Sequence, residues 1–114
     1  MIVVDLMLAT ICWAGQCYPA LTGPATPRGE FQLVQRLTES PGYGGDVLQF
    51  HETDTSVMAI HRVWILNPAE HRVSRLNSGD PARRRSITNG CINVSPEVYE
   101  KLVACCSNDM LIVK

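Results

Sequence analysis

Short apolar stretches separated by polar turns dominate this sequence, and the pattern predicts a β-rich fold. Residues 2–6 and 8–13 are apolar runs of strand length. Gly15 favours a hairpin turn, after which residues 16–21 return as a further strand. Polar and apolar positions alternate over most of residues 30–37, as expected for one half-buried strand. The first third of the chain is therefore predicted to consist of short strands.

The longest apolar run, residues 57–66, is predicted to form a central strand that carries His61 on its face or at its end. Residues 47–50 precede it as a shorter strand. Residues 67–85 are polar, rich in arginine and interrupted by proline and glycine. This composition favours a long and partly irregular connection.

One helix can be predicted together with its start. Ser95, Pro96 and Glu97 supply an N-cap hydroxyl, a proline at the first helical position and an acid in the first turn. After this helix, residues 110–113 are apolar and predict a closing strand. The expected fold class is mainly β (α+β) with one main helix, in a single domain of residues 1–114.

Composition favours a globular domain and argues against a nucleic-acid function. Hydrophobic residues make up 46% of the 114 residues, which is enough for a core and atypical of disorder. The net charge is −1 and the aromatic share is 6%. The chain therefore lacks the basic surface and the stacking platforms that nucleic-acid binding uses.

The start of the chain is apolar, and residues 1–14 resemble a signal peptide in hydropathy. Asp5 interrupts this stretch, however, and no Lys or Arg precedes Arg28. The basic region that begins a signal peptide is therefore missing. No apolar segment is long enough to span a bilayer. We expect the first residues to belong to the fold, and we expect no membrane insertion.

Cysteine usage points to a free thiol. The five cysteines are Cys12, Cys17, Cys91, Cys105 and Cys106. An odd number leaves at least one thiol unpaired, and the spacing matches no zinc motif, so no metal site is expected. Cys12 and Cys17 flank the predicted hairpin turn, where a disulfide would form in an oxidising compartment. Two reduced strand cysteines are the favoured alternative.

The candidate chemistry centres on Cys91 and His61. A cysteine is a strong nucleophile only as the thiolate, so it needs a nearby base and N–H groups that hold an oxyanion. Gly90 permits a tight turn that exposes N–H groups beside the sulfur, and His61 lies in a run that holds its ring in place. We predict Cys91 as nucleophile and His61 as general base of a thiol acyltransferase. A buried structural cysteine and an ordinary strand histidine are the alternatives.

Several arginines are candidate substrate contacts. Arg83, Arg84 and Arg85 form a charge run, which is either a solvated face or a docking site for a substrate carboxylate. We favour docking for one of the three. Arg62, next to His61, either does the same or points away across the strand.

Together these segments resemble the L,D-transpeptidase (YkuD-like) catalytic domain. That family carries an early Thr-Pro-x-Gly-x-Phe/Tyr segment, then a histidine commonly followed by glycine, and then a Ser-His-Gly-Cys-Ile/Val-Arg box. Here residues 26–31 read Thr-Pro-Arg-Gly-Glu-Phe, His61 follows, and residues 88–93 read Thr-Asn-Gly-Cys-Ile-Asn. The order and spacing match over nearly the whole chain.

Three positions depart from the family pattern. Arg62 stands in place of the usual glycine, Asn89 in place of the box histidine and Asn93 in place of the box arginine. These departures indicate a divergent branch. By the resemblance, Arg62 and Asn93 belong among the substrate-binding residues.

The resemblance implies a small β-sandwich-like fold with the cysteine near the mouth of a cleft. The implied reaction is acyl transfer on peptidoglycan stem peptides, by transpeptidation or carboxypeptidation, through a thioester at Cys91 with His61 as general base. Thr88, Asn89 and Gly90 would support the site, with backbone N–H groups around the cysteine holding the oxyanion. No metal or organic cofactor is implied.

Two other functions are compatible with the sequence. One is a non-catalytic structural or cell-wall-binding module, for example in a phage particle, and the other is an antibacterial effector delivered into another cell. The expected site of action is the periplasm or cell envelope, and the expected partner is the peptidoglycan stem peptide. Because no clear signal peptide is present, phage release and delivery are both candidate routes. The sequence predicts no oligomeric state.

Overall fold

Nine β-strands and three α-helices form the regular structure, and a computed structural model describes all residues, 1–114. The strands are β1 (Ile2–Asp5), β2 (Thr10–Trp13), β3 (Gln16–Pro19), β4 (Gly29–Gln32), β5 (Val34–Leu37), β6 (Asp46–Glu52), β7 (Val57–Arg62), β8 (Ile92–Val94) and β9 (Met110–Val113). The helices are α1 (Arg72–Leu76), α2 (Pro81–Arg84) and α3 (Pro96–Cys106), and a 3₁₀ turn spans Pro68–Glu70.

The strands form two sheets that share one hydrophobic core. The first sheet has the strand order β3-β2-β1-β9-β4 and the second has the order β5-β6-β7-β8. Two neighbouring pairs are parallel, β1 with β9 and β7 with β8. The core takes side chains from both sheets and from α3, among them Ile2, Val4, Ile60, Ile92, Tyr99 and Leu102. Burying one such aliphatic side chain stabilises the fold by about 1.5–3 kcal/mol. The predicted mainly β fold with one main helix is confirmed.

The segment predicted as a single strand over residues 30–37 is two strands in different sheets. β4 pairs with β9, whereas β5 pairs with β6. Between them Leu33 is fully buried, and its N–H donates to the carbonyl of Asp109. Leu33 and Val34 are adjacent apolar residues, which breaks the two-residue period of a half-buried strand. The chain passes from one sheet to the other at this point.

The segment of residues 67–85 contains more helix than the sequence predicted. Asn67 caps the 3₁₀ turn and Asp80 caps α2, and each is followed by proline. The same signal correctly predicted the start of α3, where the hydroxyl of Ser95 accepts from the N–H of Val98 at 3.2 Å. None of these helices has the length and apolar composition required to cross a bilayer.

Four cysteines are paired in the structure. Cys12 and Cys17 lie opposite each other on β2 and β3 and form a disulfide, which corrects the favoured prediction of two reduced thiols. The tight turn between the strands brings their β-carbons close enough for this bond. Cys105 and Cys106 form a second disulfide at the end of α3. Cys91 is the one free cysteine.

Candidate active site

The parallel pairing of β7 with β8 brings the predicted nucleophile and base together. His61 lies near the end of β7 and pairs with Asn93 on β8, while Cys91 directly precedes β8. Both side chains line two cavities of about 330 and 320 Å³. Tyr43 is the third residue that lines both. The two cavities therefore meet at Tyr43, His61 and Cys91.

The two cavities differ in their chemistry. Besides the three shared residues, the first is lined by Trp64, Asn67, Glu70, Arg72, Thr88 and Asn89. The second is lined by Thr38, Ser40, Val47, Val57 and Ala59. Because Glu70 and Arg72 are charged and the second set contains no charge, we call them the charged cavity and the uncharged cavity.

His61 is buried, and both of its ring nitrogens have partners. Its Nδ1 lies 2.7 Å from the carbonyl oxygen of Arg62, and because a carbonyl only accepts, this nitrogen carries the hydrogen. Nε2 accepts from the Nδ2 of Asn93 at 3.4 Å, and the Tyr43 ring packs edge-on with the centroids 4.7 Å apart. Burial, opposed by the Arg62 carbonyl and aided by the charge of Arg72, lowers the pKa of His61 to about 4. At neutral pH the imidazole is uncharged, and Nε2 can accept a proton when the long contact from Asn93 gives way.

Cys91 is protonated at rest. Burial raises the pKa of its thiol, while a hydrogen bond from the Ala59 backbone and the charge of Arg72 act in the opposite direction. Sγ lies 3.9 Å from the carbonyl oxygen of Val57, and no hydrogen bond joins it to His61. The pair is therefore neutral, and proton transfer requires the two side chains to approach each other. Catalytic hydrogen bonds commonly tighten in this way only when substrate binds.

The hydroxyl of Thr88 holds the loop that precedes β8. It donates to the carbonyl of Cys91 at 2.6 Å and accepts from the N–H of Gly90 at 3.1 Å. Gly90 has a φ of +126°, which L side chains rarely adopt. The N–H of Gly90 is thus already bound, whereas those of Asn89 and Cys91 donate to no group in the chain. Asn89 and Cys91 are the backbone donors left for an oxyanion.

A segment near residue 26 supports this loop, and sequence analysis did not assign it to the site. Thr26 is buried, and its hydroxyl donates to the carbonyl of Gly90 and accepts from the N–H of Gly23, both at 3.0 Å. The carbonyl of Thr22 accepts from the N–H of Thr88 at 3.2 Å. The Thr-Pro pair at residues 26–27 was the available sequence signal.

We expect Gly23→Ala to destabilise the loop before Cys91. A β-carbon at Gly23 would overlap the carbonyl group of Thr88, so that the loop would have to move. We expect the free energy of unfolding, measured in urea, to fall by about 1–3 kcal/mol. Gly79→Ala is the matched control, since a β-carbon there meets nothing within 4 Å. Equal stability of the two variants would contradict the assigned role of Gly23.

Solved structures with the same overall chain path are L,D-transpeptidases. The enzyme of Xylanimonas cellulosilytica DSM 15894 superposes with a TM-score of 0.62 at 16% identity, over 99% of this chain and 59% of that chain. The enzyme of Mycobacterium smegmatis gives 0.62 at 21% identity, over 99% of this chain and 57% of that chain. An L,D-transpeptidase in complex with imipenem gives 0.62 at 18% identity, with coverages of 99% and 57%. The chain has the L,D-transpeptidase fold.

The relationship to L,D-transpeptidases is visible in the fold rather than in the sequence as a whole. No protein-family model matches the chain, and no curated protein matches it in sequence. The chain spans 57–59% of the length of these solved L,D-transpeptidases. The predicted resemblance is confirmed for the fold, and the low identity fits a divergent branch.

Within this L,D-transpeptidase fold, Arg62 is engaged away from both cavities. Its guanidinium pairs with Asp46 at 2.9 Å and with Glu100 at 2.6 Å. It also donates to the carbonyl of Tyr43 at 3.1 Å. The structure thus has Arg62 pointing away from Cys91, which was the alternative that the sequence left open, with its charge paired within the protein. Its contact with the Tyr43 backbone helps to hold the Tyr43 ring against His61.

The three consecutive arginines also lie outside the two cavities that Cys91 and His61 line. Arg84 is buried, and its guanidinium donates to the backbone carbonyls of Leu8, Ala9 and Ser78. Arg83 is exposed and Arg85 is partly buried, and neither lines a cavity with Cys91. None of the three arginines is therefore placed beside Cys91, and docking of a substrate carboxylate by this run stays a prediction. Arg84 instead ties α2 to the start of the chain.

Asn93 is also an internal residue. Its side chain is fully buried, and its Oδ1 accepts from the N–H of Trp64 at 3.1 Å and from Nη1 of Arg72 at 3.0 Å. Through Nδ2 it contacts Nε2 of His61, and its predicted substrate-binding role stays a prediction. Arg72, which sequence analysis did not single out, is the cation of the charged cavity.

Proposed function

We propose that this protein is a cysteine acyltransferase that acts on peptidoglycan stem peptides as an L,D-transpeptidase or L,D-carboxypeptidase. The observation that carries the proposal is the meeting of Cys91, the one free thiol, with the neutral imidazole of His61 where two cavities join. The fold shared with solved L,D-transpeptidases supports the same activity. Its substrate would place the site of action in the periplasm or cell envelope.

In the first half-reaction, Sγ of Cys91 attacks the carbonyl carbon between the L-centre of the diamino acid and the terminal D-alanine. The thiol proton passes to Nε2 of His61 as the carbon–sulfur bond forms. The tetrahedral intermediate then collapses and the carbon–nitrogen bond breaks. The imidazolium returns the proton to the departing D-alanine amine, which leaves a thioester on Cys91.

In the second half-reaction, an amine of another stem peptide or a water molecule attacks the thioester. His61 takes the proton from the attacking group and returns it to the sulfur as the carbon–sulfur bond breaks. An amine gives a cross-link and water gives a shortened stem peptide. The two cavities that meet at Cys91 offer room for an acyl donor on one side and an acceptor on the other.

Stabilisation of the oxyanion is proposed to come from the two unengaged backbone donors. The N–H groups of Asn89 and Cys91 flank Gly90, whose own N–H is bound to Thr88. One such donor typically contributes about 2.7–4 kcal/mol to transition-state stabilisation. Since the hydroxyl of Thr88 and the φ of Gly90 hold the loop in place, these donors would need little rearrangement during the reaction.

A non-catalytic wall-binding module is the second candidate function. It is favoured by the raised pKa of the Cys91 thiol and by the lack of a hydrogen bond between this thiol and His61. A protein of this kind would bind muropeptides in the cavities without turning them over. Binding and turnover therefore have to be measured on the same preparation.

Incubation with a disaccharide tetrapeptide distinguishes the two candidates. Release of D-alanine, or its exchange for an isotopically labelled D-amino acid, is followed by liquid chromatography and mass spectrometry. The acyltransferase is expected to show release or exchange that imipenem blocks, since a solved L,D-transpeptidase is a complex with this β-lactam. Muropeptide binding with neither release nor exchange would favour the binding module.

A further inference from the structure

We propose that Arg72 binds the carboxylate of the terminal D-alanine in the charged cavity, an inference that rests on the proposed function. Arg72 lines this cavity together with Cys91 and His61. It lies at the start of α1, in a segment that shares no residue with the cysteine loop or with β7. The proposal assigns a substrate-binding residue that the sequence motifs do not contain.

The charges around the cavity favour Arg72 as the anion-binding group. Glu70 and Arg72 are its only charged side chains, because His61 is neutral at physiological pH. The other arginine close to the histidine, Arg62, is paired with Asp46 and Glu100. Arg72 is therefore the one cation that a carboxylate meets in the charged cavity, and the carboxylate would share it with Glu70, which pairs with its Nε at 3.1 Å.

The guanidinium of Arg72 retains two unused donors in the structure. Nε and Nη2 donate to the carboxylate of Glu70 at 3.1 and 3.4 Å, and Nη1 donates to Oδ1 of Asn93 at 3.0 Å. A guanidinium has five N–H donors, so one remains on each terminal nitrogen. Each of these donors can hydrogen-bond an oxygen of a carboxylate.

Arg72 is held rigidly and lies near the reacting groups. Its guanidinium lies 5.3 Å from the centroid of the Trp64 ring, and its side chain is 12% exposed. Its positive charge acts on both Cys91 and His61. In a stem tetrapeptide the carboxylate closest to the scissile bond is that of the terminal D-alanine, which is two bonds from the scissile nitrogen. A cation beside both reacting groups therefore suits this carboxylate.

The contact between Arg72 and Asn93 holds the cation beside the reacting groups. Asn93 lies on β8 and pairs with His61 across the sheet, and its Oδ1 accepts from Nη1 of Arg72. The asparagine thus holds an arginine that another segment supplies. A cavity with an asparagine at this position and no such arginine would have Glu70 as its only charge.

Binding measurements in the Cys91→Ala background test this inference without requiring turnover. The ligands are the stem tetrapeptide and the same peptide with a C-terminal amide, titrated by calorimetry. We expect the carboxylate ligand to bind about 10- to 100-fold more tightly than the amide, the usual effect of hydrogen bonds to a charged group. Adding Arg72→Met should remove this preference by weakening the carboxylate ligand alone.

Two further variants keep the result interpretable. Arg83→Met removes the same charge from an exposed position outside both cavities, and it should preserve the preference. Arg72→Lys keeps the charge but loses the guanidinium donors, so it should retain part of the preference. It carries the test if Arg72→Met does not fold.

Three results would overturn the inference. They are equal weakening of both ligands by Arg72→Met, a preference that survives this substitution, and no binding of either ligand. A preference for the carboxylate in a protein that releases no D-alanine would overturn the proposed function and leave the role of Arg72 intact.

Discussion

Replacing Cys91 by alanine is expected to abolish D-alanine release and exchange, with kcat/KM lower by on the order of 10⁴-fold or more. No other thiol can substitute, because the remaining cysteines are paired in disulfides. Cys91→Ser should be almost as inactive, although it fills the same space, because a hydroxyl is a far weaker nucleophile than a thiol. The measurement is the rate of D-alanine release from a disaccharide tetrapeptide.

The matched control for this prediction removes cysteines from elsewhere in the fold. Cys12 and Cys17 lie on β2 and β3, at one edge of the first sheet and outside both cavities. A double replacement of these two by alanine should lower stability but leave kcat/KM within a few-fold, so that any general effect of losing cysteine is visible. Full activity of Cys91→Ala would show that the chemistry does not use this sulfur.

His61→Gln is expected to lower kcat by about 10²- to 10⁴-fold, the range for the loss of a general base. Glutamine can still hydrogen-bond to Asn93, but it cannot accept the thiol proton at neutral pH. Thermal unfolding of the variant distinguishes the loss of the base from the loss of the fold. A folded variant with wild-type kcat would exclude His61 as the base.

The pH profile of the wild-type protein tests the same residue by a second route. The base must be uncharged, so activity is lost as pH falls through the pKa of His61. Since burial lowers this pKa from 6.5 to about 4, kcat/KM should stay nearly constant between pH 7 and about 5 and halve near pH 4. A half-maximum near pH 6.5 would instead indicate a solvent-exposed imidazole.

Local features of the fold were predictable because their signals lie within a few residues of each other. The hairpin at Gly15 and the helix that follows Ser95 rest on turn and capping chemistry that acts over one or two turns. The crossing of the chain at Leu33 was not predicted, because β4 and β5 each fit the alternation of a single strand. The alternation does not show that β4 pairs with β9 whereas β5 pairs with β6. Sheet membership is decided by these long-range pairings.

The pairing of the two candidate reacting groups and the support from Thr88 were predictable, whereas the contacts of Thr26 and Arg72 were not. A glycine before Cys91 and a histidine in an apolar run are visible in the sequence, and the parallel pairing of β7 with β8 places them together. The proposed role of Arg72 was hidden because it depends on a contact with the buried amide of Asn93, a residue distant in sequence. The environment of Arg84 was hidden as well, since a run of charged residues gives no sign that one of them is buried against carbonyl groups.

Mass spectrometry after exposure to imipenem tests most directly whether Cys91 is a reactive nucleophile within reach of a base. The protein is incubated with the β-lactam at neutral pH, and its intact mass and proteolytic peptides are then measured. We expect one equivalent of imipenem bound through the peptide that contains Cys91, with the adduct absent in Cys91→Ala and slow to form in His61→Gln. No adduct on the folded wild-type protein, or an adduct that persists in Cys91→Ala, would contradict the acyltransferase assignment.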